Sequence, residues 1–149
     1  EATIKSLKVS VIAVEKSALA AEWLNKNIAK YDLPIRVVVE DVQTALEGVK
    51  ADLVVANPPY IPDDEQLPRE VENFEPEVAL RGGKLDGMQV PKLFIEAAAR
   101  LLKPDGILIM EHHENQSELI KQALREEFRL SQTHADLTGR DRFTSARRR

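Results

Sequence analysis

Cysteine is absent from all 149 positions of the chain. Disulfide bridges and thiolate metal sites are therefore excluded, and because a reducing compartment is compatible, we expect a cytoplasmic protein. Long apolar runs are also absent, so we expect neither a membrane span nor a membrane partner. Positive charge is not in excess. The net charge is -4 and the pI is about 5.5, so we expect no direct nucleic-acid binding.

The composition is that of one globular domain, with 43% hydrophobic and 31% charged residues. Short apolar runs alternate with amphipathic segments, which is typical of an open α/β sheet that is parallel apart from its last strand. The connection between the final two strands is too short for a crossover helix, which predicts an antiparallel hairpin at or near the sheet edge. Strands are predicted at residues 9–14, 35–39, 53–56, 107–110, 128–135 and 143–146, and helices at residues 1–7, 18–30, 88–102 and 115–127.

Local signals refine this outline. Ser17 is suited to cap the helix predicted at residues 18–30. Residues 103–106 have the composition of a turn that ends the helix predicted at residues 88–102. Residues 61–87, hereafter the long loop, are rich in acids, prolines and glycines, which predicts sparse secondary structure and a role as a lid or substrate platform. The arginines within residues 140–149 suggest a solvated tail. The predicted apolar face of the first long helix holds Leu19, Ala20, Trp23, Leu24, Asn27 and Ile28.

The apolar run at residues 53–56 stops at Asn57-Pro58-Pro59-Tyr60, hereafter the proline corner. The run lacks polar alternation, which predicts a strand buried on both faces. The prolines stiffen the backbone and supply no N–H, so the Asn57 side-chain oxygen and the Pro58 carbonyl remain as neighbouring acceptors. They suit an NH2 group of a carboxamide or nucleobase, and Tyr60 offers a flat face for it. The alternative is an ordinary turn with Tyr60 in the core.

Polar groups follow the predicted strands at their carboxyl ends, where open α/β sheets bind ligands. Glu15 fits an acceptor for a ribose diol, or alternatively a solvated loop acid. Asp41 fits an acceptor for an adenine amino group, with the Val42 N–H for a ring nitrogen, or alternatively a helix cap. We expect Glu15, Asp41, Asn57 and Glu111 to face one crevice.

These residues resemble the class I methyltransferases that use S-adenosylmethionine, and more narrowly the HemK/PrmC family, which methylates the side-chain amide of a glutamine in peptide chain release factors. The Asn-Pro-Pro-Tyr motif is shared with adenine-N6 methyltransferases, whereas the motifs that follow it are more specific. The resemblance covers nearly the whole chain. Its motifs are residues 51–62, Glu75-Pro76, Ala79-Leu80, Gly82-Gly83, Asp86-Gly87, residues 102–106, Glu111 with Gln116, and Asp136 with residues 139–142.

The resemblance implies a Rossmann-like sheet, S-adenosylmethionine as cofactor and a release factor as the protein partner. It implies that Asn57 and the Pro58 carbonyl hold the glutamine NH2 group, with Pro59 in the same rigid segment and Tyr60 packed against the amide. Glu15 would hold the cofactor ribose and Asp41 the adenine end. The cofactor residues implied are Glu15, Asp41, Val42 and Asn57, and the catalytic residues are Asn57, Pro58 and Tyr60.

The family's first strand, its glycine-rich cofactor loop and its N-terminal helical domain have no counterpart in this sequence. We therefore expect residues 1–149 to be the C-terminal part of one methyltransferase catalytic domain, without its central strand and about half of its cofactor pocket. Two other functions stay open: an adenine-N6 nucleic-acid methyltransferase, against which the negative charge counts, and a catalytically silent fragment that cannot bind cofactor alone. No metal site is predicted, because the side chains of the adjacent Glu111, His112 and His113 point apart on an extended chain.

Overall fold

The structure, a computed structural model, describes residues 9–149. The helix predicted at residues 1–7 lies outside the described residues. The chain divides into two compact units, of which the first ends at Glu47 and the second begins at Gly48. Each unit is described by itself below.

The elements alternate largely as the sequence predicts. The strands are β1 (Val11–Glu15), β2 (Ile35–Val39), β3 (Ala51–Ala56), β4 (Leu102–Glu111), β5 (Phe128–Ala135) and β6 (Asp141–Arg148). The helices are α1 (Ala18–Tyr31), α2 (Arg69–Phe74), α3 (Gln89–Leu101) and α4 (Ser117–Leu124), with a short 3-10 helix at Glu77–Ala79. Among residues 9–149, no helix is both long enough and apolar enough to span a membrane.

The first unit contains β1 and β2, which pair in parallel and are connected by α1. The Ser17 hydroxyl accepts the Ala20 N–H at 3.3 Å, which confirms Ser17 as the N-cap of α1. The helix ends where Asp32 adopts a left-handed conformation with φ 50°, just before Leu33 and Pro34. The strand–helix–strand order of this unit is therefore the predicted one.

The predicted inward face of α1 is right for Leu24 and Ile28 and wrong for Leu19 and Trp23. Leu19 and Trp23 are 74% and 67% exposed, and Ala21 is the buried residue of the helix. Leu24 and Ile28 are half-buried. Because a helix turns about 100° per residue, Ala21, Leu24 and Ile28 share one side, whereas Leu19 and Trp23 lie opposite it.

The second unit is built on a four-stranded sheet in the order β3-β4-β6-β5. β3 and β4 are parallel, whereas β6 runs antiparallel to both β4 and β5. The mostly parallel sheet with an antiparallel C-terminal strand is therefore confirmed, as is the hairpin at the sheet edge. The core lies between this sheet and helices α3 and α4. Its buried apolar residues are Met88, Ile95, Ala98, Leu102, Leu108, Met110, Ile120, Leu124, Phe128 and Ala146.

The expectation that β3 is buried on both faces is wrong. Leu53 and Val55 are 51% and 70% exposed, while Val54 and Ala56 pack against the core of the second unit. Side chains alternate between the two faces of a strand, so only one face of β3 contacts that core. The apolar run alone could not reveal this, since burial depends on what covers each face.

Several element boundaries differ from the prediction. Residues 103–106, predicted as a turn, are part of β4, but the pairing with β3 shifts there: Ala51 pairs with Leu102 and Leu53 with Ile107. Asp105 has a positive φ of 65°, so the turn composition produces an irregularity inside a strand. Helix α4 is shorter than predicted, and the long loop contains the unpredicted helix α2.

The C-terminal arginines are not a solvated tail. Most of the cluster belongs to β6. Arg148 donates from Nε to the Ala99 carbonyl at 2.9 Å and from Nη1 to the Glu127 carbonyl at 2.8 Å. The strand therefore uses this side chain to connect α3 with the segment that precedes β5.

Candidate functional site

The proline corner begins where β3 ends. Ala56, the last residue of β3, pairs with Met110, so Asn57, which follows β3, and Glu111, the last residue of β4, lie at the same edge of the sheet. Carboxyl ends of parallel strands meet at one edge, and the predicted proximity of these two ends is therefore observed. Glu15 and Asp41 belong to the first unit, where Glu15 is the last residue of β1 and Asp41 lies two residues after the end of β2.

The acceptors of the proline corner are not used by the fold. Asn57 is exposed, and within residues 9–149 no group hydrogen-bonds to its side-chain amide. Pro58 is buried, and no donor in the same range reaches its carbonyl oxygen. Buried backbone acceptors are usually paired in folded proteins. The Asn57 carboxamide is therefore open to an external group, whereas the Pro58 carbonyl belongs to a buried residue.

Tyr60 is half-buried and is oriented by Glu111. Its hydroxyl donates to Glu111 Oε1 at 2.8 Å. Burial, together with the neighbouring Glu111 carboxylate, raises the pKa of the Tyr60 hydroxyl, and the nearby Arg142 guanidinium partly opposes this rise. The hydroxyl is therefore neutral at neutral pH. It donates a hydrogen bond that fixes the orientation of the ring. The alternative prediction of Tyr60 as a simple core residue does not describe this partly exposed, polar environment.

Arg142 is held in turn by Asp136. Its Nε donates to Asp136 Oδ2 at 3.2 Å. The Thr138 hydroxyl donates to Asp136 Oδ1 at 2.6 Å and, with further donors from the same turn, holds the pKa of Asp136 well below its usual range. The Asp136 and Arg142 motif of the hairpin therefore stabilises a cation beside the Tyr60 hydroxyl.

The main chain behind Tyr60 is supported by Gln116 and by two glycines. Gln116 Nε2 donates to the Tyr60 carbonyl and to the Asp86 carbonyl, each at 2.8 Å. A Cβ atom on Gly87 would lie 2.2 Å from the Tyr60 carbonyl oxygen, and one on Gly82 would lie 2.0 Å from the Gly87 carbonyl oxygen. Only glycine fits these two positions, which explains the Gly-Gly and Asp-Gly motifs of the long loop.

The second half of the long loop hydrogen-bonds to its first residues. The Ile61 N–H donates to the Leu80 carbonyl and the Gly82 N–H donates to the Ile61 carbonyl, both at 2.9 Å. Arg81 Nη1 donates to the Pro62 carbonyl at 2.6 Å and to the Glu65 carbonyl at 2.9 Å. These bonds fix the residues that immediately follow the proline corner. The role of this loop as a substrate platform stays a prediction.

The candidate cofactor residues of the first unit are carboxylates with local partners. Glu15 Oε1 accepts the Ser17 N–H at 2.7 Å. Asp41 Oδ1 accepts the Gln43 N–H at 3.0 Å, and its Oδ2 pairs with Lys16 Nζ at 2.8 Å. This Lys16 contact lowers the pKa of Asp41. A turn follows Asp41 rather than a helix, so the alternative interpretation of Asp41 as a helix cap is wrong.

These carboxylates fit a nucleoside. In the part of the chain that the structure describes, no donor reaches the second Glu15 oxygen, which can accept from a ribose hydroxyl. The Lys16 side chain is 72% exposed, and an exposed ion pair of this kind is weak enough for an adenine amino group to compete. Val42 follows Asp41 directly and is half-buried.

His112 does not serve as a metal ligand. It is buried, with Nδ1 bonded to the His113 carbonyl and Nε2 to the Thr144 hydroxyl, each at 2.9 Å. Both ring nitrogens are therefore used by the fold. Within residues 9–149, no three His, Asp or Glu side chains are grouped so that they could hold a metal ion.

Sequence reasoning missed the supporting roles of Glu111, Gln116 and Arg142. The sequence placed Glu111 at the end of a strand and Gln116 only within a motif, and their partner Tyr60 lies 51 and 56 positions away. The one usable signal was the position of Glu111 directly after a strand that neighbours β3. Nothing in the sequence indicates which backbone carbonyls Gln116 reaches.

Comparison with known proteins gives consistent results. The family model of the methyltransferase small domain matches residues 2–75. The release factor glutamine methyltransferase of Bifidobacterium longum is 38% identical over 150 residues, which cover 91% of this chain and 51% of the relative. That of Mycolicibacterium smegmatis is 38% identical over 143 residues, which cover 93% and 50%. The structure of a methyltransferase from Pyrococcus furiosus gives a TM-score of 0.66 at 16% identity and covers 99% of this chain and 66% of that one.

The structural likeness confirms the predicted class I methyltransferase fold. The chain spans about half the length of the curated relatives it matches. Those relatives align with nearly all of it, from the first unit through the proline corner to the C-terminal hairpin. By sequence, the chain therefore matches the family model of the methyltransferase small domain and is similar over nearly its whole length to release factor glutamine methyltransferases, as its motifs predict.

Proposed function

We propose that the protein transfers a methyl group from S-adenosylmethionine to the side-chain amide nitrogen of a glutamine in peptide chain release factors. Two kinds of observation support this. The relatives that align with nearly the whole chain are named for that activity. The proline corner also combines two acceptors that have no partner among residues 9–149 with an aromatic ring of fixed orientation.

The proline corner acts on the substrate amide mainly by holding it. An amide nitrogen is a poor nucleophile because its lone pair is delocalised into the carbonyl group. Asn57 Oδ1 and the Pro58 carbonyl oxygen accept its two N–H groups and fix the direction of the lone pair, while Pro59 keeps the backbone rigid. The same two acceptors stabilise positive charge that develops on the nitrogen. The Tyr60 ring packs against the amide plane.

S-adenosylmethionine, when bound, supplies an electrophilic methyl group. On the protein side, Glu15 would accept hydrogen bonds from the ribose hydroxyls, and Asp41 would accept one from the adenine amino group. Val42 would serve an adenine ring nitrogen, and Asn57 is the cofactor residue that the resemblance implies in the second unit. These are proposed roles that rest on the residues' chemistry and on the family resemblance.

A nucleic-acid substrate is the competing function, because the same corner suits an adenine NH2 group. The long loop argues against it: eight acidic residues and three basic ones follow the corner directly, and such a surface repels phosphate. The acidic residues are Asp63, Asp64, Glu65, Glu70, Glu72, Glu75, Glu77 and Asp86.

The exposed Asn57 amide, which has no hydrogen-bond partner in the described part of the chain, is the observation that carries the proposal, and its substitution is the test. In the protein at the length its gene encodes, Asn57→Ala should lower methyl transfer by roughly 100-fold or more, because the substrate nitrogen loses one of its two acceptors. Cofactor binding, measured by calorimetry, should change little. The control is Asn25→Ala, on the exposed side of α1, which should keep full activity.

Unchanged turnover by Asn57→Ala would remove the role given to this residue. The assay offers a release factor and double-stranded DNA side by side, with a radiolabelled methyl donor. Label in DNA would instead support the nucleic-acid alternative. Absence of cofactor binding by the wild-type protein would support the catalytically silent alternative.

A further inference from the structure

Gln116 is a buried polar residue whose side chain is fully engaged. It is 2% exposed. Its Nε2 donates both of its hydrogens, to the Tyr60 and Asp86 carbonyls, and its Oε1 accepts the His113 N–H at 3.0 Å. Three segments of the chain therefore meet at one carboxamide: the proline corner, the Asp-Gly turn of the long loop and the turn after β4.

The position of Gln116 in its own helix is unusual. It is the N-cap residue of α4, yet its side chain makes no capping hydrogen bond. Ser, Thr, Asp or Asn is the preferred residue there, because their short side chains satisfy the first N–H groups of the helix. The longer glutamine side chain leaves that role and reaches the main chain of Tyr60 instead. Stability of α4 therefore does not explain the choice of residue.

Tyr60 is consequently held at both ends. Gln116 fixes its main-chain carbonyl, and Glu111 fixes its ring hydroxyl at 2.8 Å. The space between is closed, since a Cβ atom on Gly87 would lie 2.7 Å from Gln116 Nε2. The Tyr60 carbonyl is two residues from that of Pro58. The prolines allow the backbone between these two carbonyls few conformations. A displacement at Gln116 is therefore passed on to the acceptors of the corner.

We propose that Gln116 is a positioning residue for methyl transfer. It acts through Tyr60, without touching the substrate, and keeps the corner in the geometry that grips the NH2 group. This inference rests on the proposed function. Misplacement of a reacting group by about 1 Å can cost a factor of the order of 100 in rate. Loss of the two Gln116 donors should therefore lower kcat more than it changes cofactor binding.

The test compares Gln116→Leu with Thr144→Val in the protein at the length its gene encodes. Thr144 is also a buried polar residue of the same unit, bonded to His112 and Thr133 and not to the corner. Both variants lose buried hydrogen bonds and both should be less stable. Gln116→Leu should lower kcat by about 10- to 100-fold with an unchanged cofactor KM, whereas Thr144→Val should stay within about 3-fold of wild type, each assayed well below its unfolding temperature.

A kcat of Gln116→Leu close to that of wild type, or equal to that of Thr144→Val at matched stability, overturns the positioning role. Gln116→Met serves if the leucine variant does not fold, because its unbranched side chain has the length of glutamine and loses both donors. It should show the same loss of kcat. Wild-type protein that transfers no methyl group would instead contradict the proposed function, before any variant is compared.

Amide hydrogen exchange gives a readout that needs no activity. The Ile61 and Gly82 N–H groups, which bond across the start of the long loop, should exchange faster in Gln116→Leu than in Thr144→Val. Equal protection of these two amides in both variants would show that Gln116 does not hold the corner, and would overturn the inference.

Discussion

Gly87 shows at the scale of one residue how closely the long loop backs the proline corner. Its φ is +62°, and a Cβ atom there would approach the Tyr60 carbonyl to 2.2 Å. Gly139 also has a positive φ, of +84°, but nothing lies within 4 Å of the Cβ position there. Alanine substitutions at these two glycines therefore separate the free-energy cost of a positive φ from the free-energy cost of a steric clash.

We expect Gly87→Ala to destabilise the protein by about 3 kcal/mol or more, because a strained φ and a steric clash add up. Gly139→Ala should cost only about 1–2 kcal/mol, the conformational part alone. Urea unfolding of both variants measures the difference. Equal losses would mean that Tyr60 and the Gly82–Gly87 turn are not packed as closely as described.

At the scale of secondary-structure elements, a series of hydrogen-bonded polar side chains runs from the residue after β4 to β6 and β5. His112 Nε2 bonds to the Thr144 hydroxyl at 2.9 Å, and Thr144 bonds to Thr133 at 3.2 Å. The Nδ1–H donates to the His113 carbonyl, so Nε2 of the neutral ring accepts from Thr144. Burial lowers the pKa of His112, opposed in part by the His113 carbonyl and by Asp141 and Glu111.

This lowered pKa predicts a pH-dependent stability. Below the ordinary histidine pKa of about 6.5, the unfolded chain binds a proton that folded His112 resists. The stability contribution of the neutral ring is therefore complete above about pH 6.5 and is lost as the pH falls through the folded pKa. The free energy of unfolding from urea titrations should fall between about pH 7 and 5, and fall less in His112→Gln. Parallel curves for the two proteins would contradict this assignment.

At the scale of the whole molecule, features that depend on local residue chemistry were predicted from the sequence better than features that depend on packing. The Ser17 cap, the end of α1 and the antiparallel final strand follow from residue type and connection length, and each is confirmed. The exposed face of β3 and the outward Trp23 were not predictable, because exposure depends on distant elements rather than on a residue's own polarity.

The same contrast between local and long-range features holds for the candidate site. The proline corner was identified from four consecutive residues, because the conformational limits of proline are local. The support that Gln116 gives to Tyr60 joins positions 56 residues apart, and no local pattern encodes such a pair. The proposed cofactor residues Glu15, Asp41 and Val42 lie in the first unit and the proline corner in the second.

Methyl transfer to a defined amide tests the central claim most directly. The protein, at the length its gene encodes, is incubated with labelled S-adenosylmethionine and a release factor, and the modified residue is located by mass spectrometry. The account predicts one added methyl group on the side-chain nitrogen of a glutamine, and none when that glutamine is replaced by glutamate. Label that persists in the glutamate variant, or that enters DNA and not the release factor, would contradict it.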